Sequence, residues 1–116
     1  MLTEPKVIDI LGTDIQILFR KEANDSKLKN CAGYFDSSKS LIVVKVPEPD
    51  ENSLGDLSRY QREVLRHEII HAFLYESGLD GSARPVESWA ANEEMVDWIA
   101  IQSPKIFKAF RELGLV

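Results

Sequence analysis

Cysteine and histidine are both scarce: the 116 residues contain Cys31 alone and two histidines, His67 and His71. A single cysteine excludes an internal disulfide, and it makes a reducing, cytoplasmic setting the expectation. No apolar run approaches the roughly 20 residues that a membrane-spanning helix needs. The opening Met1-Leu2-Thr3-Glu4-Pro5-Lys6 lacks the charged and then apolar character of a secretory leader. An excess of basic charge is missing too. Fourteen Lys and Arg against nineteen Asp and Glu give a net charge of −5. Nucleic acid and anionic membranes are therefore not expected as partners, since both demand a basic footprint. With 44% hydrophobic and 28% charged residues, residues 1–116 read as a single globular domain.

The first half is rich in β-branched runs. Lys6-Val7-Ile8-Asp9-Ile10-Leu11 and Ile15-Gln16-Ile17-Leu18-Phe19, separated by Gly12-Thr13-Asp14, predict a hairpin. Residues 20–30 are polar and lysine-rich, and predict a solvated connection with Lys27-Leu28-Lys29 as a turn. Cys31-Ala32-Gly33-Tyr34-Phe35 and Leu41-Ile42-Val43-Val44-Lys45-Val46 predict a second strand pair. The latter is the near-continuous apolar run of a well-covered strand.

The second half changes period. A helix is expected from Ser58, capped through Gln61, or from Asp56, ending about Ser77 with Gly78 as the permissive C-terminal position. After a loop over residues 78–86, a second helix is expected over residues 87–102, with Trp89, Val96, Ile99 and Ala100 on one side. Ser103-Pro104 reads as the cap and first turn of a short last helix ending near Gly114. Trp89 and Trp98 are expected as core anchors. The fold class is α+β, a small, mostly antiparallel sheet packed on two main helices.

Both histidines fall in one motif, His67-Glu68-Ile69-Ile70-His71, a full H-E-x-x-H match. A spacing of four on a helix puts both imidazoles on one face, within reach of one metal ion. Glu68 lies on the neighbouring side, where it can contact a water at the metal without being a ligand. Zinc lowers the pKa of such a water to about 7, and a carboxylate can then take its proton during attack on a carbonyl. A catalytic zinc site wants a third protein ligand, and no histidine remains. Cys31 has no spacing to recommend it. Asn92-Glu93-Glu94-Met95-Val96-Asp97 is the better source: Glu93 and Asp97, four apart, share a face, so one can bind the metal while the other hydrogen-bonds a ligand histidine. Glu93 is the favoured ligand and Glu94 the alternative.

The two segments together resemble the gluzincin clan of zinc peptidases, with its downstream N-E-x-x-x-D helix. In length the chain is similar to the minimal gluzincins and the ImmA/IrrE-like proteins of bacteria and their phages, over about residues 32–102. The resemblance implies a zincin-like fold with an active-site helix and a glutamate-bearing helix. It implies His67, His71 and Glu93 as zinc ligands, Glu68 as general base and Asp97 as orienting support. Residues 33–35 would form a strand above the cleft, where an extended peptide or protein substrate could pair. Larger gluzincins add a histidine or tyrosine to stabilise the oxyanion; Tyr34, Tyr60, Tyr75 and Arg84 are the candidates here. The expected function is zinc-dependent hydrolysis of peptide bonds. The alternatives are a noncatalytic zinc module for regulation or binding, in which the same ligands tie the helices together, and a peptidase whose cleft is blocked.

Overall fold

The computed structural model describes residues 1–49, 55–79 and 92–116. Strands β1 (Lys6–Ile10) and β2 (Thr13–Arg20) form the expected hairpin, pairing Ile8 with Ile15. Its turn is Leu11-Gly12, one residue earlier than expected, so Thr13 and Asp14 join β2. Both turn residues have positive φ, 52° and 93°, as a tight two-residue hairpin turn requires. The Asp9 carboxylate accepts the Gly12 N–H at 2.7 Å.

The second pair is β3 (Gly33–Asp36) and β4 (Leu41–Lys45), again antiparallel. The strand order is β1-β2-β4-β3, and the central pair β2–β4 is parallel, with Ile17 opposite Ile42. The sheet is therefore mixed, which the hairpin signals alone could not reveal. The central position explains the apolar run of β4. Ile42 and Val44 join Ile10, Ile15 and Ile17 on the face covered by the helix of residues 57–76, while Leu41 and Val43 pack with Leu28 on the other. Leu28 corrects the expectation of a solvated turn. Residues 22–24 and 26–29 form two single-turn 3-10 helices, and Leu28 is fully buried beneath them.

Helix α1 (Leu57–Glu76) starts at the second of the two anticipated caps: Asp56 accepts the N–H of Arg59 at 2.9 Å. Gln61 is not part of a capping box. It is buried, and its amide bonds the backbone N–H and C=O of Leu2 (2.7 and 2.8 Å) and the C=O of Lys45, strapping the N-terminal segment to the helix. Ala72 is buried against the sheet, with Val64, Leu65 and Ile69 packed beside it. Gly78 follows the helix with φ +85°, the left-handed conformation that glycine adopts without strain.

Helix α2 (Glu93–Glu112) is capped by Asn92, which accepts the N–H of Met95. It starts later than expected from residue 87; residues 87–91, with Trp89, lie outside the described residues. Nor does it stop before Ser103-Pro104: the anticipated third helix is its continuation. Proline cannot donate to the carbonyl four residues back. That carbonyl, on Ala100, instead accepts from Arg66 Nε of α1 at 2.5 Å. The buried residues of α2 are Val96 and Ala100. Trp98, two positions and about 200° round from Val96, is 58% exposed and not a core anchor. Among the described residues, no helix is long and apolar enough to cross a membrane.

Candidate metal centre

Because α1 is unbroken through residues 67–71, its 3.6-residue period brings both imidazoles to one side. Their Nε2 atoms stand 3.1 Å apart. The first turn of α2 meets them: Glu93 places one carboxylate oxygen 2.9 Å from Nε2 of His67 and the other 3.0 Å from Nε2 of His71. One turn further along α2, Asp97 lies 2.6 Å from Nδ1 of His67. A carboxylate can only accept, so Nδ1 of His67 carries a proton and donates it, and in the neutral ring Nε2 is left as a bare lone pair. Glu94, about 100° round the helix from Glu93, forms no ion pair with either histidine.

The donor set could hold a cation. Around one point lie two imidazole nitrogens and a carboxylate, groups that bind a metal ion when the nitrogens carry no proton. Zinc–nitrogen bonds of 2.0–2.1 Å in a tetrahedron separate ligand atoms by roughly 3.3 Å; the 2.9–3.1 Å spacings here are slightly tighter. His67, Glu68 and His71 each offer a ligand atom within 4.8 Å of the others, so the group could hold a metal ion.

Glu68 stands apart from this contact. Its carboxylate is 4.0 Å from Nε2 of His67 and only 9% exposed. Burial lifts its pKa to about 7; the neighbouring carboxylates of Glu93 and Asp97 push the same way, and His67 opposes them. The helix faces β3 here at close range. A Cβ at Gly33 would lie 2.9 Å from Val64 Cγ1, 3.0 Å from the Val43 carbonyl oxygen and 3.5 Å from Glu68 Cγ. Glycine is thus what allows the strand to lie over the motif.

In front of the imidazoles is a cavity of about 700 Å³ walled by β3, α1 and the start of α2. Tyr60 and Tyr75 line it, seven residues before His67 and four after His71, on the same helical stripe. Tyr75 packs edge-on against Phe35 at 5.8 Å. Tyr34 also lines it, but its hydroxyl is given to Asp25. Cys31 sits in the wall, its thiol bonded to the Lys27 carbonyl at 3.3 Å rather than grouped with the histidines. Arg84 lies outside the described residues. Sequence reasoning missed Arg66 and the close approach at Gly33. The signal for Arg66 was Pro104 inside an amphipathic helix, which orphans a carbonyl that something must satisfy. No protein-family model, curated protein or solved structure matches the chain.

Proposed function

We propose that the chain is a zinc-dependent peptidase, with His67, His71 and Glu93 as ligands, Asp97 orienting His67, and Glu68 as general base. One observation carries the reading: two imidazole Nε2 atoms 3.1 Å apart share one carboxylate, with a second, buried carboxylate 4.0 Å away. It is also the ligand set that the resemblance to the gluzincins implies. A zinc ion held there would supply Lewis acidity, polarising a carbonyl and acidifying water.

The remaining chemistry belongs to the chain. Glu68 is close enough to take the proton of an attacking water and far enough from the ligand atoms to stay unbound. It can then deliver that proton to the amine nitrogen as the peptide bond breaks. Asp97 holds the His67 ring in the tautomer whose Nε2 can bind metal. Among the described residues the outer edge of β3 has no strand partner, so an extended peptide could pair there beside the cavity. With Tyr34 engaged by Asp25, Tyr60 and Tyr75 are the tyrosines left to donate to a developing oxyanion.

The rival zinc module, purely structural, would close the metal with a fourth protein ligand. Among the described residues the ligand group instead faces an open cavity, and Cys31 is engaged elsewhere; both favour the enzyme. The test is Glu68→Gln, with zinc content and cleavage of a mixed peptide library read by mass spectrometry. The expected result is one bound zinc in both proteins and a loss of cleavage of about a hundredfold or more in the variant. No zinc uptake by the unsubstituted protein, or equal cleavage by both, would overturn the proposal.

A further inference from the structure

We infer that Arg66 is a positioning residue for the metal centre, acting through the carbonyl that Pro104 leaves unbonded. This rests on the ligand assignment proposed above. Residues 93, 97, 100 and 104 form one stripe along α2, at successive steps of three or four. The first two carry the carboxylates that meet His67 and His71. The third carries the carbonyl without a helical donor, because the fourth is proline. Ala100 is fully buried, so water cannot readily serve that oxygen, and a buried unpaired carbonyl is costly. Arg66 Nε fills the vacancy at 2.5 Å.

Arg66 is the neighbour of His67, and Ala100 follows Asp97 by one helical turn. Two adjacent residues of α1 thus hold two points on α2 about 4.5 Å apart along its axis. The contacts of Glu93 and Asp97 with the two histidines all lie in the first turns of α2. The Arg66 tether adds a point further along the axis and so helps fix the direction in which Glu93 and Asp97 project. Its partner is backbone, so it acts on the helix as a whole. The proline is what makes the tether specific. In a regular helix the Ala100 carbonyl would be engaged by the N–H of residue 104, and Arg66 would have only a shared acceptor to hold.

A substitution cycle tests this: Arg66→Ala, Pro104→Ala, and both together, compared with the unsubstituted protein. Zinc affinity is read by competition with a chromophoric chelator, and site geometry by the visible absorption of the cobalt-loaded protein. Arg66→Ala is expected to weaken zinc binding by about tenfold or more and to alter the cobalt spectrum. In the double variant the N–H restored at position 104 satisfies the Ala100 carbonyl but supplies no link between the helices. Its zinc affinity is therefore expected to stay about tenfold or more below that of Pro104→Ala alone, with the altered cobalt spectrum retained. If Arg66→Ala does not fold, the double variant, whose carbonyl is satisfied, decides by the same comparison. Unchanged affinity and spectrum in Arg66→Ala, or a double variant that matches Pro104→Ala alone, overturns the positioning role and leaves the peptidase reading intact. An unsubstituted protein that takes up no zinc overturns both.

Discussion

Tyr34 lines the cavity, yet its hydroxyl serves a different cluster. It donates to Asp25, which also accepts from Arg20 at 3.1 Å and caps the 3-10 turn through the Lys27 N–H. The Tyr34 hydrogen bond is the main cause holding the Asp25 carboxyl below its ordinary value, and burial followed by Asp25 pushes Tyr34 up to about 12. A carboxylate with a depressed folded pKa stabilises the fold above its unfolded pKa, roughly 3.9, and that contribution is lost as pH falls through the folded value. Tyr34→Phe removes a bond to a charged acceptor, a loss of about 1.5–3 kcal/mol at pH 7. The difference from the unsubstituted protein should shrink as Asp25 is protonated below pH ~4. Urea unfolding at pH 7 and pH 3 measures both. A difference as large at pH 3 as at pH 7 would show that Asp25 is not the partner that matters.

These residues also mark what spacing can reveal. The His67-Glu68-His71 grouping was legible because four residues of helix fix the relation of side chains locally. Glu93 and Asp97 were legible as a pair for the same reason; their meeting with the histidines was expected from the need for a third ligand and from the resemblance, not from spacing. Gln61 with Leu2, and Arg66 with Ala100, join residues 59 and 34 apart. No local period encodes such contacts; they exist because the elements pack.

At the scale of elements, the passage of β3 over α1 decides whether the motif has a cavity in front of it. Gly33 is where the two come closest, and one of its three near neighbours is the Val43 carbonyl oxygen, at 3.0 Å. That oxygen belongs to the paired strand β4 and cannot turn aside as a side chain can. Gly33→Ala is therefore an overpacking substitution, expected to cost about 1–3 kcal/mol. It should also displace Val64 and Glu68, the other two neighbours. Chemical denaturation gives the cost, and a crystal structure of the variant the displacement; a stability unchanged within about 0.5 kcal/mol would mean that the approach is looser than it stands here. Sequence placed this strand to within two residues, over 31–35 against the observed Gly33–Asp36, and still gave no hint of its tightness. The same holds for Leu28, polar by its neighbours and buried by its packing. Pro104 read as a start because proline favours the first helical turn. Here it lies inside the helix, because Arg66 meets the carbonyl that it abandons.

For the whole molecule, the question is what holds α2 in place. Its fully buried residues are Val96 and Ala100, while Trp98, Phe107 and Phe110 remain exposed. A buried valine contributes about 1.5–3 kcal/mol, little against the entropy of ordering a helix of 20 residues. Three polar contacts to α1 run from Glu93 and Asp97 to the histidines, but both carboxylates are largely exposed and such contacts add only about 0–1 kcal/mol each. A metal ion gripped by ligands from both helices would bind the folded state and not the unfolded chain, so its affinity becomes folding free energy. At a free concentration a thousandfold above the dissociation constant, one such site adds about 4 kcal/mol. For a domain of this size that corresponds to a rise in Tm of about 15 °C. Calorimetry with zinc and with a chelator should show this rise, and His71→Ala should abolish it without lowering the metal-free Tm by a comparable amount. Equal melting with and without zinc, or an equal shift in His71→Ala, would mean that the imidazoles and Glu93 converge without gripping an ion, and that α2 is held by its few apolar contacts after all.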